Sequence, residues 1–65
     1  MQYKEFQIIR LKKNILSHNL KKGDLGAIVH VFNKPRLAYE IEFINKNGST
    51  KIQLALTSDI IELVN

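Results

Sequence analysis

The sequence has no cysteine, no tryptophan and a single proline among its 65 residues. Without cysteine, the chain cannot be a disulfide-stapled secreted scaffold, and it has no thiolate to bind zinc. No apolar run approaches the roughly 18 residues of a membrane-spanning helix, and the first residues lack the apolar core of a signal peptide. We therefore expect a soluble, cytoplasmic protein that makes no contact with a membrane.

The chain is also short, which limits both its organisation and its stability. Because a chain of this size buries only about 60% of the surface that its unfolded form exposes, we expect one domain, residues 1–65, with one core. At about 0.05–0.15 kcal/mol per residue, folding should contribute about 3–10 kcal/mol. With no disulfide to help, the protein must fold on packing alone or with a partner.

Acidic residues are scarce in the first part of the sequence. Residues 1–36 carry eight Lys and Arg against two acidic side chains, whereas residues 37–65 carry two against four. A basic half of this kind suits an anionic partner, either nucleic acid or an acidic protein surface. A high lysine content also serves solubility alone, and composition does not separate these interpretations.

The clearest strand signal is the alternating run "AYEIEFI", residues 38–44. It places three apolar side chains on one face and two acidic ones on the other, namely Tyr39, Ile41 and Phe43 against Glu40 and Glu42. The run "TKIQLAL", residues 50–56, alternates in the same way, with Ile52, Leu54 and Leu56 facing inward. Asn47 and Gly48 in the connection supply the positive φ values of a tight hairpin.

Three further runs are rich in β-branched and aromatic residues: "EFQIIRL" at 5–11, "LGAIVHVF" at 25–32 and "DIIELV" at 59–64. The last follows a "TSD" turn of the kind that forms a single 3₁₀ turn. The sequence thus predicts an all-β fold of five strands without a helix. Because a flat sheet of this size leaves its edges and one apolar face open, we expect it to curl into a small barrel.

The connection at residues 12–23 is the one long loop, and it is basic. We expect Ile15, Leu16 and Leu20 to tuck under the barrel as a lid. Long loops in compact domains often carry function.

Two glycines, Gly23 and Gly26, frame Asp24 just before the second strand. Glycine-rich loops cradle phosphate where a helix follows, but here a strand follows and no phosphate-binding motif is present. A structural turn explains the pair better, since glycine adopts left-handed backbone angles without steric cost. Asp24 is expected to accept hydrogen bonds from neighbouring backbone N–H groups.

A resemblance to known proteins rests on three pieces, "LKKGDLGAIVHVF", "AYEIEFINKNGST" and "LTSDIIELV". Together they resemble domain-of-unknown-function family 4926, a family of small, mostly bacterial proteins, over nearly the whole chain. They also look like the opening of SH3-like barrels, in which a basic loop and Gly-Asp-x-Gly lead into a β-branched strand. The resemblance implies a five-stranded SH3-like barrel, and the small, stand-alone form of the family suggests antitoxin, immunity or adaptor roles.

A shorter stretch, residues 20–32, is similar to the KOW element of ribosomal proteins and transcription factors. In that element a Gly-x-x-Gly-x-Val turn opens a strand and basic loops contact RNA. Binding to single strands also needs exposed aromatic platforms. Here Phe6 is expected in the core with Tyr39 and Phe43, which leaves Tyr3 and Phe32 as the candidates for exposure.

No pattern in the sequence predicts a catalytic, cofactor or metal site. His18 and His30 lack further ligands at a suitable spacing for a metal, and His30 is expected at an exposed or edge position. Ser17 next to His18 does not form a nucleophile and base, because those partners must converge in space with a third group. Glu40 and Glu42 lie on an open strand face that offers no desolvated pocket.

We therefore expect a non-enzymatic module that binds another protein, such as a cognate toxin or effector. The alternative is a KOW-like module that binds RNA or DNA with the basic loop, residues 12–22. Exposed strand edges would also allow a homodimer that buries an edge. Six side chains are the candidates for partner contact: Lys12, Lys13, Lys21, Lys22, Phe32 and Arg36.

Overall fold

Five β-strands and two 3₁₀ turns make up the regular structure in the computed structural model, which describes residues 3–64. The strands are β1 (Ile8–Leu11), β2 (Leu25–Phe32), β3 (Ala38–Ile44), β4 (Thr50–Leu56) and β5 (Ile61–Leu63). The 3₁₀ turns are Leu16–His18 and Ser58–Ile60. No helix in the described part is long and apolar enough to cross a membrane.

The strands form one antiparallel sheet in the order β4-β3-β2-β1-β5, which confirms the prediction of an all-β chain. The bounds of β3 and β4 coincide with the runs predicted from alternation, and those of β2 coincide with the run predicted from its β-branched and aromatic residues. The first and last strands are shorter than predicted, because residues 4–7 form a turn and Ser58–Ile60 form a 3₁₀ turn. β4 and β5 are the two edges, so the sheet is not closed.

The core lies on one face of this sheet. All of its fully buried side chains are apolar, and within residues 3–64 they are Ile9, Leu11, Leu20, Ile28, Tyr39, Ile41, Phe43, Leu56 and Ile61. The inward positions predicted for β3 are thus confirmed. On the edge strand β4, Ile52 and Leu54 also point toward the core but remain half-buried.

A β-bulge at Val29 changes which side chains of β2 face the core along its length. Ile28 pairs with Ile41 while His30 pairs with Glu40, so one extra residue stands on β2 between these pairs. Before the bulge Ile28 faces the core, and after it His30 faces outward on the same side as Glu40. His30 is exposed as expected, on a strand in the middle of the sheet rather than at an edge.

The turn between β3 and β4 differs from the predicted pair of positive φ values. Gly48 has a φ of +89°, whereas Asn47 is not among the residues with positive φ. The Gly48 N–H donates to the carbonyl of Asn45 at 3.0 Å, and the Asn47 side chain accepts from the Ser49 N–H at 3.0 Å. Gly48 alone therefore supplies the left-handed conformation, and Asn47 contributes through its side chain.

The long loop places only one of its three predicted lid residues in the core. Leu20 is 1% exposed, and its backbone forms a bridge to Ile15, which packs against the core from the side. Leu16 is 80% exposed in the first 3₁₀ turn, so its predicted place under the sheet is wrong.

Gly26 lies inside β2 and not in the turn that was predicted for it. The turn comprises residues 21–24: the Asp24 N–H donates to the carbonyl of Lys21, and the Asp24 carboxylate accepts from the Lys21 N–H at 2.8 Å. Gly23 has a φ of +93° there, while Gly26 does not have a positive φ. Glycine at position 26 is needed for space, because a Cβ would lie 2.6 Å from Cγ2 of Ile41.

The aromatic side chains at the start of the chain are placed opposite to prediction. Tyr3 is partly buried, with its ring 5.4 Å from that of Tyr39 and its N–H donating to the Tyr39 hydroxyl. Phe6 is 80% exposed with a φ of +72°. It is held in this conformation by a turn in which the Gln7 N–H donates to the carbonyl of Lys4, and by its own N–H donating to Ile28.

The conformation of Phe6 leads to a prediction on stability. A left-handed backbone costs a residue with a Cβ about 1–2 kcal/mol, and glycine avoids this cost. Because the exposed ring contributes little to the core, Phe6→Gly should stabilise the fold by about 1 kcal/mol. Urea denaturation would measure this, with Phe6→Ala as the control that removes the ring but keeps the strain. Equal stability of the two variants would contradict the prediction.

Candidate protein-binding face

An exposed apolar surface lies on the outer side of the sheet, opposite the core. Leu25 and Ala27 point outward from β2, and Ile8 of β1 pairs with Ala27. Gly26 pairs with Phe43, so Ile44 lies beside Leu25 at the next position of β3. These four residues are called the apolar face below. They line a shallow groove of about 300 Å³ together with Gly26 and Glu42.

Two large side chains of the apolar face are exposed, whereas Ile8 and Ala27 are half-buried. Leu25 is 56% exposed and Ile44 is 57% exposed. Scattered single hydrophobic residues are normal on a protein surface, whereas a contiguous group across three strands often marks an interaction site. Here the strand register, not proximity in sequence, brings the side chains together.

Charged residues of opposite sign flank the apolar face. Arg10 pairs with Leu25 on the β1 side, and its Nε lies 2.5 Å from a carboxylate oxygen of Glu62 on β5. Glu42 pairs with Ala27 on the β3 side, where it accepts a hydrogen bond of 2.8 Å from the Thr50 hydroxyl. Both side chains are thus held in place next to the apolar face.

The charges near this face lower the pKa values of two carboxyl groups. The hydrogen bond from Arg10, together with the positive charges of Arg10, Lys12 and Lys22, lowers the pKa of Glu62 below its ordinary value of 4.5. The Thr57 hydroxyl bond and the charges of the nearby lysines lower the pKa of Asp59. Both groups therefore stay ionised into acidic solution and offset part of the local positive charge.

Two of the six predicted contact residues, Lys12 and Lys22, line one depression with Arg10 and Glu62. Lys12 and Lys22 act on Glu62, while Lys12 and Lys13 act on Asp59. Lys12, Lys13 and Lys22, with Arg10, are called the basic end below. Their loop is held by the Lys12 N–H donating to Ile60 and by the Lys22 N–H donating to the Asn14 side chain.

The other predicted contact residues are not part of this cluster. Lys21 is exposed in the turn before β2. Phe32 ends β2, seven residues from Leu25 and thus roughly 23 Å along the strand at about 3.3 Å per residue. Its ring packs edge-on against His30 at 4.6 Å, and Arg36 is exposed in the connection that follows. The lysine-bearing loop and the aromatic residue Phe32 therefore lie at opposite ends of β2.

The apolar face was missed at the level of sequence, although one signal for it was present. The alternation that turns Glu40 and Glu42 outward also turns Ile44 outward, at a position that a solvated strand would fill with a polar residue. Leu25 carries a weaker signal, since the glycine after it interrupts the pattern of β2. Within residues 3–64, no three side chains that could bind a metal lie together.

The sheet and its outer surface define a small, antiparallel all-β module with one exposed apolar face. Residues 5–63 match the family model for a domain of unknown function, DUF4926, and the chain belongs to this family. This confirms the resemblance to domain-of-unknown-function family 4926 that was drawn from the sequence. No curated protein and no solved structure matches the chain.

Proposed function

We propose that this chain is a non-enzymatic module that binds another protein through the apolar face. The observation that carries the proposal is the contiguous exposure of Leu25 and Ile44 between Arg10 and Glu42. Burial of apolar area supplies affinity, and the two opposite charges set the orientation of the partner. The complementary partner surface is apolar, with an acidic group facing Arg10 and a basic group facing Glu42. An antitoxin, immunity or adaptor protein would act in this way on a cognate partner.

We also propose that the sheet curls into an SH3-like barrel with a seam between β4 and β5. Two features support this. Nine apolar side chains are buried although the described residues form a single sheet and no second layer, which requires the sheet to wrap around them. Leu56 at the end of β4 and Ile61 at the start of β5 are both buried in the one core, and only four residues connect them, so these two strand ends adjoin.

Leu25→Lys tests the proposed binding face. A lysine placed at the centre of an apolar contact must lose its hydration, so the affinity for a protein partner should fall at least about tenfold. The tagged wild-type chain is used to isolate the partner from the native cell, and the purified pair is then measured by calorimetry. If the partner is a toxin, co-expression should restore growth with the wild type and fail with Leu25→Lys.

Ala55→Lys is the matched control, since it adds the same charge at an exposed position of the edge strand β4. It should bind the partner as the wild type does. If Leu25→Lys and Ala55→Lys bind the partner with equal affinity, the partner binds at a surface other than the apolar face. Failure of the wild type to retain any protein at a fixed stoichiometry would reject the proposed function.

A second candidate function, binding to RNA or DNA, is favoured by the basic end. Lys12 and Lys22 line a depression there with Arg10, and Lys13 follows Lys12 in the chain, which suits contact with several phosphates. Glu62 and Asp59 stand within the same group and reduce its net charge. The exposed aromatic rings that stack on bases lie elsewhere, at Phe6 and Phe32.

The double variant Lys12→Glu, Lys22→Glu tests this second function. In a gel-shift assay with mixed-sequence RNA at about 50 mM salt, the wild type should bind and the variant should not. Binding by the wild type should also weaken steeply when the salt is raised to about 200 mM. The double variant Lys34→Glu, Lys46→Glu, in the connections after β2 and β3, is the control that changes the net charge equally. Absence of a shift with the wild type at low salt would exclude this function.

A further inference from the structure

The side chains of the apolar face and its flanks occupy a regular array. In one row across the sheet stand Ile44, Leu25 and Arg10, and in the next stand Glu42, Ala27 and Ile8. Neighbouring strands lie about 4.8 Å apart and same-face residues about 6.8 Å apart along a strand, so the four corner positions form a rectangle of about 9.6 Å by 6.8 Å. Ile8 and Ile44 occupy one pair of opposite corners, and Arg10 and Glu42 occupy the other pair.

We infer that a second copy of this chain covers the apolar face, with a two-fold axis that runs near the line from Ile8 to Ile44. The inference rests on the proposed function, because it takes the apolar face to be a protein-binding surface. About this axis, Ile8 and Ile44 each meet their own counterpart in the second copy. Arg10 of each copy stands about 4 Å to the side of Glu42 of the other by the spacings of the sheet, within reach of both long side chains, which gives two identical ion pairs.

The charges select this axis among the symmetric choices. An axis along β2 would set Glu42 against Ile8, and an axis across the strands would set Arg10 against Ile8. Each choice buries a charge against an apolar side chain without a partner, which is costly. An axis along the other diagonal would set Arg10 on Arg10 and Glu42 on Glu42. The diagonal through Ile8 and Ile44 alone pairs opposite charges and keeps the apolar side chains together.

The hydrogen-bonding capacity of both charged groups fits this contact. Arg10 uses Nε for Glu62, so its two terminal amino groups are free to donate to a second carboxylate. Glu42 accepts from Thr50 at Oε2, which leaves Oε1 for a donor from the second copy. The two sheets would cross steeply, close to the orthogonal class of sheet packing.

Sedimentation equilibrium of the full chain and of two charge-reversal variants tests whether a second copy covers the apolar face. The wild type should show a monomer–dimer equilibrium up to about 1 mM, since a contact of this size is at the weak end of specific interfaces. Arg10→Glu and Glu42→Arg should each weaken dimerisation by about tenfold or more, because each creates two like-charge contacts. The double variant should return to within about threefold of the wild type.

Recovery in the double variant cannot come from a contact within one copy. Arg10 and Glu42 stand on strands separated by β2, roughly 12 Å apart by the spacings of the sheet. Glu62→Ala is the control that removes the bond within the chain and leaves the contact between copies. A wild type that stays monomeric at every concentration would overturn the inference, as would a double variant that is no better than the single ones.

The same measurement separates this inference from the proposed function. A monomeric wild type whose protein partner is lost in Leu25→Lys would mean that the apolar face serves a different protein and not a second copy. If the dimer affinity follows the charge reversals and no other protein binds, the second copy is the occupant of the apolar face. That result would exclude a cognate partner at this face.

Discussion

Leu20→Ala should lower the free energy of unfolding by about 2–5 kcal/mol, although Leu20 belongs to a loop. The side chain is 1% exposed and packs among the buried residues of the sheet. Deleting it removes buried apolar surface and leaves a cavity under the sheet, and both effects reduce stability. Against a total of about 3–10 kcal/mol, this loss would leave a substantial part of the molecules unfolded.

Leu16→Ala is the matched control, because it makes the same chemical change four positions earlier in the same loop. Leu16 is 80% exposed, so its truncation should change stability by no more than about 0.5 kcal/mol. Urea denaturation followed by circular dichroism measures both variants. Similar losses for the two would mean that Leu20 does not hold the loop to the core.

Gly26→Ala is the second large effect that we expect, with a loss of about 1–3 kcal/mol. The added Cβ would stand 2.6 Å from Cγ2 of Ile41 and 3.0 Å from Cε1 of Phe43, both fully buried. Replacing glycine by alanine also restricts the unfolded chain, which favours folding by about 0.4–1 kcal/mol. The steric conflict is larger than this gain, because neither neighbour has room to move within the core.

Ala27→Val provides the control for Gly26→Ala on the adjacent outward position of β2. It adds two methyl groups on the exposed side, where valine suits a strand, and stability should change by about 0.5 kcal/mol or less. Thermal denaturation of both variants gives the comparison. A Gly26→Ala protein as stable as the wild type would show that the core accommodates the extra carbon.

The strands and their inward faces were predictable because alternation is a local property. The alternation within residues 38–44 predicts which side chains are buried, and the structure agrees at Tyr39, Ile41 and Phe43. The bulge at Val29 was not predictable in this way, since it depends on how β2 meets β3. Leu16 and Leu20 also look alike in sequence, and only the bridge to Ile15 decides which of them is buried.

The candidate site was less predictable than the fold. The lysines of the loop were visible as a cluster in sequence, and two of them, Lys12 and Lys22, line one depression in the structure. The apolar face combines single residues from three strands, so it exists only once the register is known. Phe6 was assigned to the core from its hydrophobicity, but its positive φ directs it out of the sheet.

The position of β5 in the sheet has a consequence for the order in which the protein acquires structure during synthesis. β1 to β4 each pair with a neighbour in the sequence, whereas β5 pairs with β1 across about fifty residues, as the bond from Arg10 to Glu62 illustrates. Pairing between distant segments carries the larger entropic cost and waits for the later segment to emerge from the ribosome. The pairings that form the apolar face, among β1, β2 and β3, therefore do not depend on β5, and the strand that carries Ile61 completes the core last.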